Sequence, residues 1–217
     1  IAMNRLVQGD VGSGKTLVAL ISMFNVYMNG YQTVLMAPTE ILANQHYAEA
    51  KKYLDQFGVD IEILTGSTKE KEKKRIKEKI ASGKEIMLIG THALIQDDVE
   101  LNNLGLVVTD EQHRFGVEQR SRLINKNKRA DVLVMTATPI PRTLSLYLYS
   151  DLDISIIDEL PPGRKPIDTM LVDMNQRMKA YNFALKEVEK GRQFYIVSPL
   201  IEENEKLNLN SVEKIYE

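Results

Sequence analysis

The chain has 217 residues, 27% of them charged and 43% hydrophobic, with a formal net charge of −2. These are the proportions of an ordinary globular protein, and they argue against a generally basic nucleic-acid binder while leaving room for a local basic groove. The absence of cysteine excludes a disulfide framework and any thiolate metal site, and no run approaches the ~18–20 consecutive apolar residues of a membrane span.

Along the chain, short apolar runs alternate with longer amphipathic stretches, the pattern of βαβ units and a parallel sheet. Ile1-Ala2-Met3-Asn4-Arg5 has no signal-peptide pattern, and Arg5-Leu6-Val7-Gln8 reads as a strand running straight into a glycine-rich loop. A strand so near the first residue suggests a fragment cut close to its first motif. Residues 16–28 form the helix behind the loop, with Gly30 as its stop. Strands are expected at 33–36, 60–64, 86–89, 106–108 and 132–135, and helices at 41–57 and 69–81. The second helix carries the run Lys69-Glu70-Lys71-Glu72-Lys73-Lys74-Arg75, which reads as a solvated face.

Pro161-Pro162-Gly163-Arg164-Lys165-Pro166 suits neither a regular helix nor a central strand and reads as a linker. The expected division is 1–158 for the first domain, 159–167 for the linker and 168–217 for the start of a second domain. In that second part, strands are expected at 169–172 and 194–198 around a helix at 176–190.

The strongest chemical signal is Gly9-Asp10-Val11-Gly12-Ser13-Gly14-Lys15-Thr16, a complete G-x-x-x-x-G-K-[ST] phosphate loop between an apolar run and an amphipathic helix. Its glycines allow a tight turn that aims N–H groups at phosphate oxygens, beside the positive end of a helix dipole. Lys15 would reach the β- and γ-phosphates of ATP, and the Thr16 hydroxyl would ligate Mg²⁺. The apolar stretch Leu104-Gly105-Leu106-Val107-Val108-Thr109 ends in Asp110-Glu111, the arrangement in which Asp110 holds the Mg²⁺ shell and Glu111 orients and deprotonates the attacking water. Thr109 is unexpectedly polar for the last buried strand position.

Other strand ends carry further candidates. Gln112 and His113 complete Asp110-Glu111-Gln112-His113, in which His113 can sense the γ-phosphate or be a hydrogen-bonded turn residue. Thr136 and Thr138 flank Ala137 and can bridge His113 to the neighbouring backbone, while Thr138-Pro139 also reads as an N-cap and first helical residue. Pro38-Thr39 and Thr91-His92 are candidate contacts to a DNA phosphate backbone, and each also reads as an ordinary turn and cap. These groups stand where ligands bind in open α/β sheets, outside the carboxyl ends of the strands.

Taken in order, the phosphate loop, Ala-Pro-Thr, Gly-Thr-His, D-E-x-H and Thr-Ala-Thr resemble the motor of superfamily 2 helicases. The longer strings Gln8–Thr16, Asp110–Val117, Thr136–Leu144 and Ile157–Arg164 resemble the RecG family of ATP-dependent DNA helicases over nearly the whole chain. The transcription-repair coupling factor shares the H-R-F-G-V and T-P-I-P-R-T-L strings. It typically has Phe in place of Ser13 and D-E-E-H in place of Asp110–His113, and it lacks the string at Glu159–Arg164.

The RecG resemblance implies a RecA-like P-loop NTPase lobe, α/β with a mostly parallel sheet flanked by helices, followed by the start of a second RecA-like lobe. It implies a bacterial, cytoplasmic motor protein working as a monomer on stalled forks and Holliday junctions, with single-stranded-DNA-binding protein as a partner. It also implies that an arginine finger and later motifs lie outside this chain, so that the fragment binds nucleotide but hydrolyses it very weakly. A nucleotide-binding switch that regulates a partner without translocation is the contrasting reading.

Overall fold

A computed structural model describes residues 2–96, 99–110, 130–138, 152–159, 161, 163 and 167–198. The chain divides into two compact units, Ile1–Arg164 and Lys165–Glu217.

Among the described residues of the first unit, the strands and α-helices are β1 (Asn4–Gly9), α1 (Lys15–Met28), β2 (Gln32–Met36), α2 (Glu40–Leu54), β3 (Ile61–Leu64), α3 (Glu70–Ala81), β4 (Met87–Gly90), β5 (Leu104–Asp110), β6 (Asp131–Thr136) and β7 (Asp153–Ile157). The strands form one seven-stranded sheet in the order β3-β4-β2-β5-β6-β1-β7. Every neighbouring pair is parallel. The expected α/β architecture with a parallel sheet flanked by helices is therefore present.

Successive strand residues point to opposite sides of the sheet, and packed elements bury both faces. Val34, Met36 and Val107 join a cluster with Ile76 and Ile80 of α3. Leu35, Leu106 and Val108 join another with Ala19, Leu20 and Met23 of α1 and Ala50 and Leu54 of α2. Helix α3 is otherwise almost wholly charged, so Ile76 and Ile80, at 1% and 0% exposure, are its anchor. Part of its charged surface is paired rather than simply solvated: Arg75 bonds Glu62 and Glu72, and Lys79 bonds Asp60 and Glu62. Burial alone would raise the Glu62 carboxyl, but the hydrogen bonds from Arg75 and Lys79 outweigh it and hold the group below the usual carboxylate range.

Helix boundaries differ from the sequence reading in small ways. Helix α1 starts at Lys15, one residue earlier than expected, and ends before Gly30, whose φ of 84° is left-handed. The helix expected at 41–57 is α-helical only to Leu54 and closes with a 3-10 turn, Asp55–Phe57, against Gly58 at φ 68°. Strand β7 was not anticipated. It adds to the β1 edge, where Arg5 donates to Ser155 Oγ at 2.8 Å, and its half-exposed residues lack the continuous apolar run that marks the inner strands.

The described part of the second unit contains a 3-10 turn, Met174–Gln176, and helix α4 (Arg177–Glu189). The strands expected at 169–172 and 194–198 are absent. Met170, Leu171, Tyr195 and Val197 are instead exposed. An apolar run becomes a strand only when another strand accepts its backbone hydrogen bonds, and no described segment of this unit does so. Most of the expected linker and residues 199–217 lie outside the described residues. Among the described residues, no helix is long and apolar enough to cross a membrane.

Candidate nucleotide site at the carboxyl edge of the sheet

The glycine-rich loop is held by the end of β1 and the start of α1. Gly9 is the last residue of β1, and a Cβ there would stand 2.6 Å from Ser13 Oγ and 3.0 Å from Ile157 Cβ. Close approach therefore explains glycine at this position. Gly12 and Gly14 are needed for another reason, since their φ values of 80° and 92° lie in the left-handed region. Gly14 is also the N-cap of α1 and supplies no side-chain cap, so the first-turn N–H groups of the helix are left for an external acceptor.

Lys15 folds back over the loop, its Nζ donating to Gly9 O at 2.7 Å and to Asp10 O at 2.8 Å. Asp10 Oδ1 accepts from Val11 N at 2.7 Å, which stiffens the turn. Ser13 Oγ is buried with no hydrogen-bond partner among the described residues. An orphaned hydroxyl, an uncapped helix start and an ammonium bound only to loop carbonyls together suit an oxygen-rich anion.

The sheet register brings the other strand ends alongside. Gln8 is level with Thr136, and Asp110 with Met135, so β1, β6 and β5 finish at nearly the same height. Asp110 is the last residue of β5, and its Oδ2 lies 2.8 Å from His46 Nε2 of α2. Among the described residues, no group of three or more His, Asp or Glu side chains could cage a metal. One carboxylate, Asp110, and one hydroxyl, Thr16, are the donor set that suits an Mg²⁺ held mainly by phosphate oxygens and water. Thr109 is buried at 2% exposure, and its Oγ1 has no partner among the described residues.

Thr136 is buried, and its Oγ1 accepts from Thr138 N at 3.1 Å and donates to Thr138 Oγ1 at 3.3 Å. The two hydroxyls thus close their own turn. Glu111, Gln112 and His113 lie outside the described residues, as does Pro139.

A cavity of about 280 Å³ lies beside the loop, lined by Gln8, Gly9, Asp10, Ala137, Ile156 and Ile157. A larger one of about 570 Å³ sits at the opposite edge of the sheet, among Asn29, Tyr31, Asn103 and Asp131.

The same carboxyl edge continues across β2, β4 and β3. Thr39 caps α2, its Oγ1 accepting from Leu42 N at 3.3 Å, with Pro38 half-buried before it. Thr91 is buried at 2% exposure, whereas His92 is exposed. Two features here were missed in the sequence. The turn Thr65-Gly66-Ser67-Thr68 after β3 is drawn to α2, where Glu40 accepts from Ser67 N at 3.0 Å and from Ser67 Oγ at 2.7 Å. These bonds hold the Glu40 carboxyl below its usual range. A hydroxyl-rich turn at a strand end was the available signal. For His46 there was none, because its partner is 64 residues away in the chain.

The DEAD/DEAH box helicase family matches residues 2–146. Over 99% of its length the chain is 53% identical to the ATP-dependent DNA helicase RecG of Thermotoga maritima, of which it covers 28%. It is 51% identical, again over 99% of its length, to the ATP-dependent DNA helicase RecG of Bacillus subtilis, of which it covers 31%. The chain thus spans less than a third of the length of these relatives. Among solved structures it resembles RecG bound to a three-way DNA junction, with a TM-score of 0.76 and 49% identity over 92% of this chain and 27% of that one. A DEAD box protein from Methanococcus jannaschii shares the fold, with a TM-score of 0.56 and 23% identity over 84% of this chain and 53% of that one.

Proposed function

Because this chain belongs to the DEAD/DEAH box helicase family, we propose that its first unit is the ATP-binding lobe of a RecG-type DNA helicase motor. The observation that carries this reading is the phosphate loop itself: left-handed Gly12 and Gly14, an uncapped α1 and the Lys15 ammonium above them. The names of the relatives at 53% and 51% identity favour the RecG type over the coupling-factor type and over a switch without translocation.

In this reading the loop amides from Gly9 to Thr16 bind the phosphates of ATP. Lys15 leaves Gly9 O and Asp10 O and turns to the β- and γ-phosphate oxygens, exchanging two carbonyl acceptors for anionic ones. Thr16 and Asp110 would hold Mg²⁺, which when bound neutralises charge developing on the phosphates. Glu111, next in the chain after Asp110, positions the attacking water and takes its proton. Gln112, His113, Thr136 and Thr138 link the γ-phosphate to the neighbouring strand end.

Pro38, Thr39 and the Thr91-His92 turn contact a DNA phosphate backbone along the same edge, with His92 as the exposed member of its turn. The longer protein acts on forks and other branched DNA in the bacterial cytoplasm. Support for that substrate comes from the 49% identical structure bound to a three-way junction.

The test is a titration of the chain with a fluorescent ATP analogue and Mg²⁺, beside Lys15→Ala. The variant should bind about 10–150-fold more weakly, the worth of a charge-assisted hydrogen bond of roughly 1.5–3 kcal/mol. Equal affinity in the two proteins would remove the loop as the ATP site.

A further inference from the structure

We propose that His46 is a positioning residue that holds the Asp110 carboxylate in the orientation the metal requires. The inference deepens, and rests on, the assignment of Asp110 to Mg²⁺. His46 Nε2 lies 2.8 Å from Asp110 Oδ2, and the two side chains are only 6% and 14% exposed. A carboxylate can only accept, so the shared hydrogen belongs to Nε2. The other ring nitrogen, Nδ1, is buried with no partner among the described residues, so the bond to Asp110 is the ring's one polar tie there.

That arrangement is costly for packing alone. The buried positions of α2 around His46 are Ala43, Ala50 and Leu54. An apolar side chain of similar volume would fill the place without burying an unbonded nitrogen. The bond to Asp110 explains a histidine where packing does not. A single donor on Oδ2 restricts rotation of the carboxylate about its Cβ–Cγ bond and leaves Oδ1 available to the ion. Outer hydrogen bonds of this kind orient metal ligands, and their loss typically costs ~10–100-fold in metal affinity or activity.

The experiment uses the 217-residue chain as wild type, His46→Leu and His46→Gln. MgCl₂ is titrated into each protein with a fluorescent ATP analogue, and each is melted without nucleotide. Leucine removes the bond while keeping the volume, and glutamine keeps an N–H donor at a similar reach. His46→Leu should weaken apparent Mg²⁺ affinity by about 10–100-fold, with the melting temperature unchanged or higher and metal-free nucleotide binding unaltered. His46→Gln should recover most of the loss, and in an Asp110→Ala background His46→Leu should change Mg²⁺ dependence no further.

Wild-type Mg²⁺ affinity in His46→Leu would overturn the inference. So would equal weakening in the leucine and glutamine variants with both melting temperatures lowered, which would mark a packing role. If the wild-type chain bound nucleotide with no dependence on Mg²⁺, the assignment of Asp110 would fall and take the inference with it; that result is separable because it needs no variant.

Discussion

Replacing Gly9 by alanine tests whether the phosphate loop depends on close approach as well as on left-handed backbone. Gly9 is not among the glycines with positive φ, so alanine carries no left-handed penalty there. Its Cβ would instead meet Ser13 Oγ at 2.6 Å, Ile157 Cβ at 3.0 Å and Ile157 O at 3.2 Å. Ser13 can relieve the first contact by rotating. The other two involve the neighbouring strand, paired through Gly9 and Ile157, so relief means parting β1 from β7. Overpacking of this kind costs roughly 1–3 kcal/mol, which in a domain of this size corresponds to a fall in Tm of about 2–12 °C at ~2–4 °C per kcal/mol. Denaturant and thermal unfolding of Gly9→Ala and Gly9→Ala/Ser13→Ala would measure it. The second substitution should recover only the Ser13 part, and nucleotide binding should weaken in both because the loop is displaced. An alanine variant as stable as wild type, binding nucleotide equally well, would refute the argument.

Other variants probe separate parts of the molecule. Ile80→Ala should cost about 2–5 kcal/mol, because Ile80 is fully buried and only Ile76 shares its role as an anchor of α3; unfolding in urea reads this directly. Glu62, whose carboxyl is held below the ordinary range, contributes stability above the unfolded carboxylate value of ~4.3, and that contribution disappears as pH falls through the lower folded value. Glu62→Gln should therefore be less stable than wild type at neutral pH, with the gap closing on acidification, as urea midpoints at several pH values would show. In the RecG-type motor proposed above, Glu111→Gln should keep ATP binding and abolish hydrolysis; lost affinity with normal turnover would contradict the role given to Glu111.

Much of the site could be read locally. The loop needs glycine where the backbone turns left-handed, at Gly12 and Gly14, and where it passes close to another strand, at Gly9. The inner strands were visible as continuous apolar runs because both sheet faces are covered, as at 34–36 and 106–108. The same rule failed beyond the linker. Met170, Leu171, Tyr195 and Val197 have strand-like composition but no described strand to pair with. It failed in the opposite sense for β7, which pairs along β1 although its residues are half exposed.

The sequence by itself determined the phosphate loop, the acidic end of β5 and the α/β alternation, because each follows from spacing within a few residues. Only the tertiary structure decided that Gln8, Thr136 and Asp110 finish at one edge, that Ser67 is tied to Glu40, and that His46 meets Asp110. Those contacts depend on strand order and register. Backbone pairing along the whole sheet sets both, and no short stretch of sequence encodes either one.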